Sequence, residues 1–322
     1  MGYDETTDSN RNFFIAILVT TTVLTLPALA GRFGWLQSFV PLPIFYYLVA
    51  FGEQQGRKVI ISAIVAAGIV ALATGIMQHL IFSYMLLPVG FLLAHEAYNR
   101  ESVTATAVKS VILLCLLWLI FGVLYATIKQ SNPYTEALTA IDQDIVATYE
   151  TLKEQYKDLP FDTKQELKSA LERLRHLVPK IMPALIGIMI LVTIWLNIIF
   201  GQLLLAKKKQ AVPSWGRLRN WRLPDWLIWG AISAGLLTVQ PFDKGQTIGL
   251  NLLLLFGTVY FFQGVAVFGS QLAKWSPPPL ARIIIYVLMV LLQIYSILLL
   301  IILGVAEVWT NTRKVEKNNE VN

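Results

Sequence analysis

Apolar runs long enough to cross a lipid bilayer recur eight or nine times along this chain, and almost every charged residue falls between them. A helical crossing of a hydrocarbon layer about 30 Å thick takes about 20 apolar residues. Runs near that length lie at 12–30, 35–52, 58–75, 77–94, 108–128, 181–206, 225–241, 247–270 and 281–304. Backbone groups inside a bilayer must be satisfied within the chain, so runs of this kind form helices. With 56% hydrophobic and 14% charged residues in 322, the chain has more apolar surface than a soluble core hides. The fold expected is all-α, a polytopic transmembrane helix bundle of 8–9 spans with an extramembrane helical hairpin. Its parts are 12–128 (spans one to five), 129–180 (the hairpin), 181–304 (spans six to nine) and 305–322 (a polar tail).

Two runs are weak. Pro41 and Pro43 interrupt the second, each removing a backbone donor, so a broken or re-entrant helix is expected there. The seventh, 225–241, is short for a crossing. The first run ends in Pro27-Ala28-Leu29-Ala30-Gly31, like a signal-peptide cleavage site, but Asp4, Glu5 and Asp8 precede it instead of a basic cluster, so it reads as a retained span. Short loops rich in Lys and Arg stay on the cytoplasmic side. The densest such segment, Lys207 to Arg222, is therefore expected inside and the hairpin outside. The net charge of +6 then reflects orientation and an anionic lipid surface; nucleic acid is not an expected partner.

In 133–180 apolar residues repeat every seven positions at Leu138, Ile145, Leu152 and Leu159, the mark of a helix seam. Asn132-Pro133 suits an N-cap and first turn, and Leu159-Pro160-Phe161-Asp162 suits a turn into a second helix carrying Leu167, Leu171, Leu174, Val178 and Ile181 on one face. Two such stripes pack most simply as an antiparallel hairpin. Its charges read either as the solvated faces of a spacer or as a docking arm for another protein.

Chemistry-bearing motifs are absent from the sequence. There is no Gly-rich phosphate loop ending in Lys-Ser/Thr, no Gly-x-Ser-x-Gly elbow and no His-Glu-x-x-His pair, so neither enzymatic activity nor a cofactor or metal is expected. The lone Cys115 sits in an apolar run and reads as a small apolar side chain. What remains are polar and small residues inside spans. Asn197, Gln202, Asn251 and Gln263 read as interhelical hydrogen-bonding groups or as the lining of a solute cavity. Ala63, Ala67, Ala71 and Gly75, four apart, make a smooth helix face for close packing within the bundle or for docking a subunit. Glu53, His79, His95 and Glu96 fall at span ends; Glu96 and Arg100 have the spacing of a helical ion pair. Trp215, Trp221, Trp226 and Trp229 surround the basic segment and read as an interfacial belt.

The carboxyl-terminal third carries Tyr260-Phe261-Phe262-Gln263-Gly264-Val265-Ala266-Val267, the turn Ser276-Pro277-Pro278-Pro279, and Leu303-Gly304-Val305-Ala306-Glu307 with Arg313 six residues on. In these motifs and their order the chain resembles the bacterial YybS-like predicted membrane proteins, grouped as domain of unknown function 2232. That pattern has Leu-Gly, two residues, an acid, and an Arg six positions later; Glu307 stands here where Asp is more usual. The resemblance implies a bacterial cytoplasmic (inner) membrane location and a motif at Gly304, Glu307 and Arg313. It also implies a distant likeness to the substrate-binding subunits of energy-coupling-factor vitamin importers. The expected function is that of a transporter-like component binding a small solute, in contact with the lipid bilayer and with a membrane partner or ATPase-coupling subunit. The alternative is a scaffold that recruits envelope or signalling partners through the 133–180 hairpin.

Overall fold

The structure, a computed structural model, describes residues 3–155, 161–208, 212, 215–216 and 221–310, and these residues are helical nearly throughout, with no strand among them. The helices are α1 (Tyr3–Leu29), a 3-10 segment (Gly31–Phe39), α2 (Pro41–Phe51), α3 (Glu53–Thr74), α4 (Met77–Met85), α5 (Leu87–Tyr98), α6 (Val103–Lys129), α7 (Pro133–Gln155), α8 (Phe161–Lys207), α9 (Leu227–Thr238), α10 (Asp243–Trp275), α11 (Pro279–Leu291) and α12 (Gln293–Thr310). Among the described residues eight stretches are long and apolar enough to cross a membrane: Asn10–Leu29, Phe33–Phe51, Glu53–Thr74, Met77–Tyr98, Val103–Lys129, Gln165–Lys207, Asp243–Trp275 and Gln293–Thr310. The chain divides into two compact units, Met1–Leu117 with Ile190–Leu218, and Trp118–Met189 with Arg219–Asn322.

In the first unit α1 packs on α3, and α2 lies against α3 and α5. Pro41 opens α2 in its first turn, where the missing amide leaves no bond unmade. The prolines thus start a helix after a 3-10 segment, so the stretch Phe33–Phe51 is broken near its middle, as expected of that run. Two glycines set the depth of α2. A methyl group on Gly56 would come within 2.7 Å of the Leu48 Cα, and one on Gly90 within 2.7 Å of the Pro41 carbonyl oxygen, so neither position has space for a side chain. Tyr98 then donates to the Leu48 carbonyl at 2.7 Å, and Tyr84 to Ile64 at 2.7 Å, tying α5 to α2 and α4 to α3 through their phenols.

In the second unit α10 is the centre, flanked by α9 and α12. Gly249 sits where an added methyl would meet the Thr238 amide at 2.7 Å, so α9 rests directly on α10. With 12 residues α9 is about 18 Å long at 1.5 Å per residue and falls short of a hydrocarbon crossing, against the expectation of a span at 225–241. The run 281–304 is likewise two helices. Leu292 leaves helical geometry (φ −95°, ψ 42°) between α11 and α12, a backbone break that apolar composition does not reveal.

Asn132 caps α7 as the sequence suggests: its side-chain oxygen accepts from the Tyr134 amide at 2.9 Å, with Pro133 in the first turn. The turn at Leu159-Pro160 lies outside the described residues. Helix α8 begins at Phe161 and runs 47 residues through Pro179 and Pro183, about 70 Å at 1.5 Å per residue. The seam is looser than two interlocked stripes. Leu138, Ile145, Leu152, Leu167 and Leu171 are all half-exposed, and no described side chain of α7 is buried. What joins the arms is polar: Arg175 grips Asp142 through Nε and a guanidinium nitrogen at 2.5 and 2.8 Å, and Tyr134 reaches the Pro179 carbonyl at 3.4 Å.

Candidate functional site

The most tightly built place in the second unit is the crossing of α10 and α12. Gly264 and Gly304 face each other there: a methyl on Gly264 would overlap the Leu300 carbonyl, and one on Gly304 the Tyr260 carbonyl. This contact brings Gln263, fully buried, within reach of both neighbours. Its side-chain oxygen accepts from the Leu223 amide at 2.8 Å and its nitrogen donates to the Gly304 carbonyl at 2.8 Å. Gln263 thereby ties the segment before α9 to α12. Arg222, pairing with Asp225 at 2.8 Å and reaching the Val308 carbonyl at 3.4 Å, reinforces the same join. Beside it Tyr260 is 1% exposed, and its hydroxyl has no hydrogen-bond partner among the described residues. Glu307, one turn beyond Gly304, is also 1% exposed. Arg313 lies outside the described residues.

The other amides act in the same way. Asn251 accepts from the Ala184 amide at 2.8 Å and donates to the Lys180 and Thr247 carbonyls at 2.7 Å, holding α8 to α10 just past Pro179 and Pro183, where prolines disturb the helix's own ladder. In the first unit Asn197 donates to the Ser38 and Thr193 carbonyls at 2.6 Å, and Gln202 to the Gly216 carbonyl at 2.5 Å. The four amides therefore belong to separate joints, two in each unit, and each spends hydrogen bonds on backbone. Two surface hollows, one on α12 between Ile301 and Thr310 and one on α8 between Ser169 and Lys180, include none of them.

The acid that the structure sets apart in the first unit is Glu96. It is 4% exposed, and Lys109 of α6 donates to its carboxylate at 2.7 Å and to Glu101 at 3.3 Å. Arg100 is not its partner: φ at Arg100 is +57°, so the helix has already ended there and the four-residue spacing no longer places the two side chains together. Ser110, next to Lys109, is fully buried with its hydroxyl unpartnered among the described residues. Glu53 instead makes an exposed pair with Arg57 in the same helix, and His95 contacts Asn99 at 2.9 Å. Among the described residues no group of three or more His, Cys, Asp or Glu is placed to hold a metal.

Ala63, Ala67 and Ala71 are fully buried within the chain, on the helix that packs against α1, and Thr21 of α1 approaches the Ala63 carbonyl at 3.4 Å. Gly75 leaves this face; it caps α3 in the left-handed conformation (φ +74°). Of the tryptophans, Trp226 and Trp229 are each 69% exposed, as an interfacial belt requires, whereas Trp215 is buried and stacked on Phe45 with ring centres 5.3 Å apart. Sequence reasoning missed Lys109 as the partner of Glu96, and Tyr260 and Arg222 around Gln263. The only signal for Lys109 was a lysine seven residues into a span's helix, where no adjacent acid explained it.

A family model described as "Predicted membrane protein (DUF2232)" matches residues 13–308. The chain belongs to that family. The match takes in all eight candidate spans except the ends of the first and last, and it contains Glu96, Lys109, Gln263, Gly304 and Glu307. No curated protein and no solved structure matches the chain. Family membership makes this an integral membrane protein, in contact with the lipid bilayer, and gives it no activity.

Proposed function

We propose that this DUF2232 protein is a transporter-like component of a bacterial cytoplasmic membrane, binding a small solute and having neither enzymatic activity nor an ATPase of its own. One observation carries the reading: two carboxylates lie almost wholly buried within candidate spans, Glu96 at 4% and Glu307 at 1% exposure. Placing an ionisable group in a membrane span is costly, and such groups line solute or proton paths. Glu96 is the better candidate of the two, because its described ion partner, Lys109, is 47% exposed and so can exchange it for solvent or solute. The interrupted helices support the same reading, since irregular backbone inside a membrane occurs where it lines a cavity or is sheltered by protein. The amides Asn197, Gln202, Asn251 and Gln263 hold joints in this account, and the solute-contacting role passes to the acids.

The test is a comparison of small-molecule content in cells carrying the wild-type protein, Glu96→Gln, or no copy. One solute class accumulating with the wild type and not with Glu96→Gln, at equal membrane levels, supports the reading. Identical profiles in all three overturn it. The scaffold alternative draws on a separate observation, the half-open seam of the α7–α8 hairpin, which leaves apolar surface available to another protein.

A further inference from the structure

The α7–α8 hairpin leaves a specific problem unsolved. An amphipathic helix presents an apolar stripe at least about 100° wide, and two such helices side by side cover only part of each other's stripe. Accordingly Leu138, Ile145, Leu152, Leu167 and Leu171 stay half-exposed, and Val146, Leu174 and Leu177 are 42%, 46% and 41% exposed. These residues share both arms with closely spaced charged side chains.

The charges of the two arms indicate what covers them. On α7 the acids Glu136, Asp142, Asp144, Glu150 and Glu154 stand against one base, Lys153. On the facing arm of α8 the bases Lys168, Arg173, Arg175 and Lys180 outnumber Glu166 and Glu172. Only Asp142 and Arg175 form an ion pair between the arms among the described residues, so most of this complementarity is unused within the hairpin. A matching surface must offer an acidic helix beside a basic one, with an apolar stripe between. A second copy of the same hairpin, turned by a two-fold axis, offers that: acidic α7 meets basic α8 of the other copy twice over, and the four stripes close into one core.

We infer that the 133–180 hairpin is a self-association element, and that two copies of this chain join there as a four-helix bundle outside the bilayer. The inference is independent of the solute-binding reading, and its failure leaves that reading intact.

The experiment uses full-length protein in lipid nanodiscs, with mass photometry to count copies and two differently tagged chains. One variant carries a basic α7 (Glu150→Lys, Glu154→Lys); the other carries an acidic α8 arm (Lys168→Glu, Arg173→Glu). The wild type is expected as a dimer, and each variant alone with its dimer fraction reduced about tenfold, as several exposed ion pairs reversed together allow. Mixing the two variants is expected to restore the dimer as a mixed-tag species, which a misfolded hairpin does not do. A second variant, Ile145→Glu with Leu171→Glu, is expected to be monomeric with its helix content retained. Monomeric wild type, a dimer unaffected by every variant, or variants that do not rescue each other overturns the inference. So does a hairpin covered by a different protein in native membranes with no self-crosslink through Ile145→Cys.

Discussion

Gly264 and Gly304 are far apart in sequence, and their side-chain-free surfaces let two backbones touch. A methyl on Gly304 would occupy the space of the Tyr260 carbonyl, so Gly304→Ala forces α12 away from α10 and costs about 3 kcal/mol or more. Gln263→Leu keeps the volume but strands the buried Leu223 amide, which costs about 2 kcal/mol. Thermal unfolding in detergent checks both, with Gly304→Ala expected to lower the midpoint further. At Glu96 the expected pattern is a reversal. Lys109→Ala leaves a buried carboxylate unpaired and destabilises strongly, whereas the same change in a Glu96→Gln background costs much less, because no charge remains to be compensated. Equal losses in the two backgrounds contradict this.

The sequence shows residues more readily than partners. Asn197, Gln202, Asn251 and Gln263 stand out as polar groups inside apolar runs, yet nothing in a linear pattern says that each bonds to backbone of another segment. Glu96 illustrates the same limit. Its helical neighbour Arg100 is visible by spacing, but the helix ends before the pair can form, and the lysine that does form it comes from the next helix.

Among elements, the long spans were legible because about 20 apolar residues in succession leave the backbone no other way through a bilayer. Boundaries inside apolar sequence were not. The break at Leu292 that separates α11 from α12, and the shortness of α9, depend on backbone bonds and turn geometry that hydropathy does not register. The hairpin was legible for the opposite reason: Asn132-Pro133 is a capping signal, and the seven-residue repeat is a helical one. Its arms respond to acid in a defined direction. The Arg175 guanidinium holds the Asp142 carboxyl below its ordinary range. The ionised form is therefore favoured in the folded hairpin; its contribution is full above the ordinary aspartate value of about 4 and is lost as pH falls through the lowered value. Spin labels at Val146 and Leu174 should report a sharp distance at neutral pH that broadens below about pH 4. Asp142→Asn should give the broad distribution at every pH. The effect is modest, since the pair is exposed.

For the whole molecule, α8 offers a topological test. A helix that carries the chain from the hairpin arm through a candidate span to Lys207 is expected to leave residues 165 and 207 on opposite sides of the membrane. The bias of Lys and Arg predicts a cytoplasmic Lys207. An impermeant maleimide is therefore expected to label Gln165→Cys in intact cells, in a Cys115→Ser background, and Lys207→Cys only after permeabilisation. Labelling of both from the same side contradicts the continuous crossing. The proposal that this DUF2232 chain binds a solute and relies on other subunits for energy is tested by a crosslinking pull-down of tagged protein from native membranes, read by mass spectrometry. An ATPase together with a membrane coupling subunit is expected, recovered equally with the wild type and with Glu96→Gln. Recovery of the chain with envelope or signalling proteins alone, lost when the hairpin seam is charged, contradicts it.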